Sequence, residues 1–139
     1  MKSLQKQGDV VRELTMFALR RRRACFEGWE PPLVFKYLAW HLLAGTLGIV
    51  REGRALLGVG IAYSASMEHI VEHEGKAFDW KLPERGNVLY LEEVIAVRRA
   101  IPRLLEMAMN RYPWINRIMT LRRGKLVELR LSALTRLAT

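Results

Sequence analysis

The chain has 139 residues, half of them hydrophobic, and a formal net charge of +9. This length fits one domain with a sizeable core, and the composition argues against a disordered chain. The only cysteine, Cys25, excludes an internal disulfide framework and predicts a reducing, cytoplasmic setting. No apolar run approaches the roughly 20 residues that cross a bilayer, so no membrane span is expected.

Positive charge is concentrated towards the end of the chain. From Arg98 to Thr139 there are ten Lys and Arg but only two acids, and Arg20 to Arg23 form a second group. Such asymmetry favours an anionic partner, which is a phosphate, nucleic acid, an acidic carrier protein or acidic lipid. For any single arginine, a solvated surface is the simpler interpretation.

Two helices are predicted first. Asp9 is placed to cap a helix from Val10 to Phe26, whose apolar residues recur at helical spacing. A proline pair then opens a second helix, Leu33 to Leu43, and Gly45 ends it.

A β-hairpin is predicted next. Its strands are Thr46 to Arg51 and Arg54 to Ser64, joined by Glu52-Gly53. Gly58 and Gly60 within the second strand indicate a bulge or a close approach of two backbones.

The polar segment Ser66 to Gly86 is predicted to be a mobile or inserted loop with a short helical turn. Within it, His69 to His73 has the spacing H-x-x-E-H of inverted zinc proteases, in which Glu72 would activate water. The sequence offers no clear third ligand, so solvated histidines are the simpler interpretation and no metal site is predicted.

The block Asn87 to Arg130 predicts a buried strand, a turn rich in arginine, a helix, a second strand and a hairpin return. The whole order predicts a mixed α+β domain with one central crossover helix in a mostly antiparallel sheet. Three arginines would surround the N-terminus of that helix, where cations oppose the helix dipole unless an anion joins them: Arg98, Arg99 and Arg103. The alternative is that these arginines face solvent.

Two adjacent acids, Glu92 and Glu93, interrupt the apolar strand. Alternation predicts one on each face of the sheet, with at least one of them partly buried. An ion pair with an arginine is the favoured interpretation for Glu92, while Glu93 stays open. His41, in the apolar second helix, is predicted to be a packed histidine.

The order of elements, and above all Leu89 to Arg123, resembles the GNAT (GCN5-related N-acetyltransferase) superfamily. The resemblance implies that the central strand ends at Val94, Ile95 and Ala96 beside the pantetheine arm of acetyl-CoA. The following turn, with Arg98, Arg99 and Arg103, would then hold phosphate. The superfamily has glycines in this turn, and Ala100 and Pro102 stand in their place.

The block is also similar to the toxin-activating lysine acyltransferases, which take acyl groups from acyl carrier protein. Tyr90 to Ala96 and Tyr112-Pro113 carry this similarity. The catalytic histidine of that family precedes the second helix, where this chain has Phe26-Glu27-Gly28-Trp29.

Two main hypotheses follow. The first is an acyltransferase-like protein that uses acyl-CoA or acyl carrier protein, with an amine as acceptor and Glu93 as the base. The second is a non-catalytic GNAT-fold binding protein, of phage or mobile-element type, whose C-terminal charge contacts nucleic acid or another acidic partner. A zinc hydrolase with metal at His69 and His73 is a third possibility.

Overall fold

The computed structural model describes residues 2–21 and 26–130. The helices are α1 (Lys2–Arg21), α2 (Pro31–Ala44), α3 (Met67–Glu72) and α4 (Ile101–Arg111). The strands are β1 (Leu47–Glu52), β2 (Ala55–Ala65), β3 (Val88–Ala96), β4 (Arg117–Arg122) and β5 (Lys125–Leu129). A 3-10 turn, Arg98–Ala100, leads into α4.

The five strands form one sheet in the order β1-β2-β3-β4-β5. Only β3 and β4 run parallel, because α4 carries the chain across the sheet between them, and the other neighbours are antiparallel. The predicted α+β class with one crossover helix in a mostly antiparallel sheet is therefore confirmed. No helix within the described ranges is long and apolar enough to cross a membrane.

Helices cover both faces of the sheet. On one face, α1 and α2 bury Leu14 and Leu38 against Ile61 and Ile95 of the sheet. On the other face, α4 packs Leu105 and its neighbours onto the strands. The two cores stabilise the sheet from both sides and leave its ends available for a site.

The first helix begins and ends earlier than the sequence predicts. It starts at Lys2, so Asp9 lies inside it and contacts Arg12 at 2.9 Å instead of capping the N-terminus. The regular spacing of the buried Val11, Leu14 and Ala18 fixes the face that packs, but it does not locate the start. The predicted end at Phe26 is wrong, since α1 ends at Arg21 and a 3-10 residue stands at Phe26. Residues 22–25, which include Cys25, were also predicted to be helical and lie outside the described residues.

The remaining boundaries follow their local signals. Pro31 and Pro32 open α2, and Gly45 ends it with a φ of 77°, a conformation that glycine adopts without strain. The hairpin between β1 and β2 turns at the predicted glycine, Gly53, which has a φ of 61°. In α3, the Ser66 side chain accepts a hydrogen bond from the His69 N–H at 3.1 Å.

Gly58 of β2 pairs with Ala96 of β3, and the two strands lie unusually close together there. A Cβ built there would lie 2.6 Å from the Cβ of Ala96, whereas one at Gly60 would meet nothing nearer than 3.5 Å. The register between β1 and β2 also shifts beside Gly58. Both predictions made for this stretch, a bulge and a close approach of two backbones, are confirmed.

Candidate functional site

A β-bulge in β3 places Glu92 and Glu93 on the same face of the sheet. In β2, Ile61 pairs with Glu93 and the next residue, Ala62, pairs with Leu91, so Glu92 is the extra residue. Leu91 therefore packs towards α4, while both glutamates line a cavity on the opposite face. The expectation of one glutamate on each face is wrong, because simple alternation holds only in a strand without a bulge.

The Glu92 carboxylate is held by groups from two other elements. Its Oε1 accepts a hydrogen bond from the Tyr63 hydroxyl at 2.9 Å, and its Oε2 accepts one from the Tyr37 hydroxyl. Nε2 of His41 lies 3.1 Å from Oε2. Tyr37 and His41 are one helical turn apart on α2, so both reach the carboxylate from the same face. We call these four residues the Glu92 network.

The Glu92 network corrects the interpretation of Glu92 as the partner of an arginine. The large number of arginines made an ion pair the favoured interpretation. The groups around the Glu92 carboxylate are instead two phenols and an imidazole. His41 is packed as predicted, with no exposed surface, but it also faces a carboxylate.

The His41 ring lies between Thr46 and Glu92. The hydroxyl of Thr46 lies 2.7 Å from Nδ1 of His41 and 3.2 Å from the His41 carbonyl oxygen, and on the other side of the ring Nε2 lies 3.1 Å from Oε2 of Glu92. The contact is not aligned as a hydrogen bond: within the described ranges, Nε2 is the buried side-chain nitrogen that lacks one.

The two phenols of the Glu92 network donate hydrogen bonds but do not readily lose their protons. Burial, and then the negative charge of Glu92, raise the pKa of Tyr37 well above its usual range. The same two causes, in the same order, raise the pKa of Tyr63. Both hydroxyls therefore stay protonated and orient the carboxylate.

The cavity beside the Glu92 network has a volume of about 320 Å³, which suits a small organic group. Aromatic rings make up much of its wall: Phe26, Trp29, Tyr37, Tyr63, Phe78 and Tyr90. Neighbouring rings are steeply inclined, with interplanar angles of 85° for Trp29 and Tyr37 and 79° for Tyr37 and Phe78.

Part of the cavity wall comes from the segment between α3 and β3. Phe78 and Trp80 of this segment pack onto the core formed by α1 and α2, although the sequence predicted a mobile or inserted loop. His69 and His73 also line the cavity and stack with their ring centroids 3.9 Å apart. Burial, and then the nearby His73, lower the pKa of His69. Across the described residues, no group of three or more His, Cys, Asp or Glu is placed to hold a metal ion.

The parallel strands stop pairing next to the cavity. The ladder between β3 and β4 covers Val88–Leu91 and Arg117–Thr120 and goes no further, although β3 continues to Ala96. Glu92, Glu93 and Leu121 are the next residues of the two strands, and all three line the cavity. The cavity therefore lies at the point where the two strands separate.

The predicted carrier-binding residues follow this point along the chain. Ile95 is buried in the core with α1 and α2, whereas Val94 and Ala96 pack on the side of α4. The side chains of all three residues are thus used in packing. Arg98 and Arg99 in the 3-10 turn and Arg103 in the first turn of α4, together called the turn arginines, are exposed. Arg99 lies 3.7 Å from Glu52 in a loose, solvated pair.

The sequence reasoning missed Tyr37, Tyr63 and His41 as site residues. Two signals were present. Tyr37 and His41 share a face of an otherwise apolar helix, and two adjacent acids in a buried strand need partners that the strand itself does not supply.

Comparison of the chain with known protein families, with curated protein sequences and with solved structures finds no match.

Proposed function

We propose that this protein is an acyltransferase-like protein with a GNAT-like arrangement of elements. It would transfer an acyl group from acyl-CoA or acyl carrier protein to an amine. The observation that carries the proposal is the separation of the parallel strands β3 and β4 at a cavity that contains two carboxylates. The arginine turn comes directly after the same strand.

The acyl carrier would lie along the end of β3. As the resemblance implies, the pantetheine arm would lie beside Val94, Ile95 and Ala96. Arg98, Arg99 and Arg103 would meet its phosphates or the acidic surface of a carrier protein, since anions offset the cost of cations at a helix N-terminus.

The acceptor would react in the cavity. Its amine nitrogen attacks the thioester carbonyl carbon, a C–N bond forms, and the C–S bond breaks. The amine proton passes to a carboxylate, and the carrier leaves as a thiol after taking up a proton. We propose Glu92 as the proton acceptor beside the predicted base Glu93, because Oε1 of Glu92 keeps one acceptor position after binding Tyr63. His41 positions Glu92 and does not touch the acceptor.

Thermal unfolding with acetyl-CoA, and separately with an acylated carrier protein, tests the donor. A ligand at about 100 times its dissociation constant stabilises the folded state by about 2.7 kcal/mol, which is a readily measured shift. Replacing all three turn arginines by glutamine should remove the shift.

A matched triple variant at Arg12, Arg20 and Arg21, which are exposed on α1, removes the same charge elsewhere and should keep the shift. If neither carrier shifts the unfolding temperature, the proposal is wrong. If both triple variants lose the shift equally, the effect is one of overall charge and the turn is not the binding site.

One observation favours the alternative of a nucleic-acid-binding protein on the same fold. Four exposed cations lie on or directly after the β4–β5 hairpin, with no acidic partner in the part of the chain that the structure describes: Arg122, Arg123, Lys125 and Arg130. This alternative predicts binding to DNA or RNA that weakens steeply with salt. Gel-shift assays that stay blank at low salt would eliminate it.

A further inference from the structure

The cavity beside the Glu92 network combines aromatic rings with negative charge. Glu92, Glu93 and Asp79 all line it, together with six aromatic side chains. Trp29 and Phe78 stand nearly perpendicular to the Tyr37 ring, whereas Tyr63 is inclined by 47° to Phe78 and by 46° to Tyr90, so the rings of the wall differ in orientation. Such surroundings attract a cation through the negative ring faces, and a carboxylate adds direct attraction.

Positive groups at the cavity do not cancel this character. Lys76 and Lys81 also line it, but both are exposed and their ammonium groups can extend into water. The pKa of His69 is lowered, first by burial and then by His73, so its imidazole stays neutral at neutral pH. The buried part of the wall is therefore aromatic and acidic.

Glu92 can accept one more hydrogen bond. The Tyr37 hydroxyl and the nearby His41 nitrogen occupy the surroundings of Oε2. Among the residues that the structure describes, Oε1 receives a hydrogen bond from the Tyr63 hydroxyl alone, at 2.9 Å, so one acceptor position is left on it.

We propose that this cavity binds an alkylammonium group, with the charged nitrogen among the aromatic rings and next to Glu92. The inference rests on the proposed function in so far as the amine that remains when this ammonium gives a proton to Glu92 would be the acceptor of the acyl group. Binding itself needs no acyl donor, so it is measured on the full chain alone.

Calorimetric titration, followed in parallel by the tryptophan emission to which Trp29 contributes, compares a cation with a neutral molecule of the same shape. Choline is compared with 3,3-dimethylbutanol, and n-butylammonium with n-butanol. Each cation should bind at least about tenfold more tightly than its neutral counterpart, because only the cation gains from ring faces and carboxylate. Equal affinity within each pair overturns the proposal.

Three variants locate the bound cation. Glu92→Gln keeps the shape of the side chain, removes its charge and should weaken cation binding at least tenfold, while Glu13→Gln on α1 should leave it unchanged. If Glu92→Gln unfolds, Trp29→Leu serves instead, since it removes one ring face outside the helices and strands. Unchanged cation affinity in the folded variant overturns the proposal.

A blocked lysine, acetylated at its α-nitrogen and amidated at its carboxyl group, tests whether the alkylammonium group belongs to a lysine of a protein or to a small free amine. Binding as tight as that of n-butylammonium identifies a protein lysine as the ligand, and exclusion of the blocked lysine alone identifies a small free amine. Cation binding without any carrier-induced shift would contradict the acyl-transfer proposal only, and the reverse result would contradict only the cation site.

Discussion

The Glu92 carboxylate accepts hydrogen bonds from two phenols and lies 3.1 Å from an imidazole nitrogen. Its side chain is 15% exposed, so water reaches it only from the cavity. At the scale of single residues, a charge this enclosed is tolerated because its lone pairs meet donors. Glutamine in this place keeps one acceptor oxygen for one phenol but sets an amide NH2 donor opposite the hydroxyl of the other.

Glu92→Gln should therefore lower the free energy of unfolding by about 1–3 kcal/mol, the usual cost of leaving buried polar groups unsatisfied. Glu13→Gln is the matched control, because Glu13 pairs with Arg51 on the surface and should cost less than about 1 kcal/mol. Urea unfolding measures both. Equal losses in the two variants would show that the Glu92 network contributes no more than a surface pair.

Alkaline pH should destabilise the protein through the same two phenols. Burial and the charge of Glu92 raise the pKa of Tyr37 and of Tyr63 above the ordinary value of 10.0. Above about pH 10 the unfolded chain loses these protons while the folded chain keeps them, so the free energy of unfolding falls as pH rises. Below that pH the contribution is fully present.

Unfolding by urea at intervals from about pH 9 to about pH 11 measures this slope. The double variant Tyr37→Phe/Tyr63→Phe should show a shallower fall than the original protein. A fall of the same steepness would assign the alkaline effect to other groups.

At the scale of elements, the strands and helices follow from local signals in the sequence. Proline at the start of α2, glycine at its end and the Gly53 turn each determine a boundary through backbone geometry alone. The bulge at Glu92 does not follow in this way, since it depends on how β2 and β3 align across the sheet. For the same reason, the sequence located the acidic pair but gave neither its face nor its partners.

The contact between β2 and β3 at Gly58 makes a further prediction at this scale. Gly58→Ala should destabilise the protein by about 1–3 kcal/mol, because the new methyl group would lie 2.6 Å from the Ala96 Cβ and the strands would have to move apart. Gly60→Ala is the matched control in the same strand, since its methyl group would lie at ordinary contact distance from Leu104.

Thermal unfolding of both glycine variants tests the contact. A loss at Gly58 that does not exceed the loss at Gly60 would mean that the sheet adapts to the added methyl group without cost. Because Ala96 is one of the residues proposed to lie beside the acyl carrier, Gly58→Ala should also reduce any rise in unfolding temperature that acetyl-CoA produces.

At the scale of the whole molecule, negative and positive charge occupy different places. Acidic side chains line the cavity, while the exposed arginines of the turn and of the β4–β5 hairpin carry much of the net charge of +9. Like charges on the surface repel each other and destabilise the compact state.

Added salt should therefore stabilise this protein. Raising sodium chloride from about 20 mM to about 200 mM shortens the range of charge repulsion, so the unfolding temperature should rise. A fall in the unfolding temperature would show that surface ion pairs outweigh repulsion. Inorganic pyrophosphate at the same ionic strength separates screening from binding, because only a bound anion stabilises beyond chloride.

The hydrogen bond from Tyr37 to Glu92 joins positions 55 residues apart, and the one from Tyr63 joins positions 29 residues apart. During synthesis, the Glu92 network cannot form until both helices, the hairpin and most of β3 have left the ribosome. Closing so long a stretch of chain has an entropic cost that only the packed cores offset. A chain in which β3 has not yet paired with β2 and packed against α2 therefore has no carboxylate oriented for chemistry.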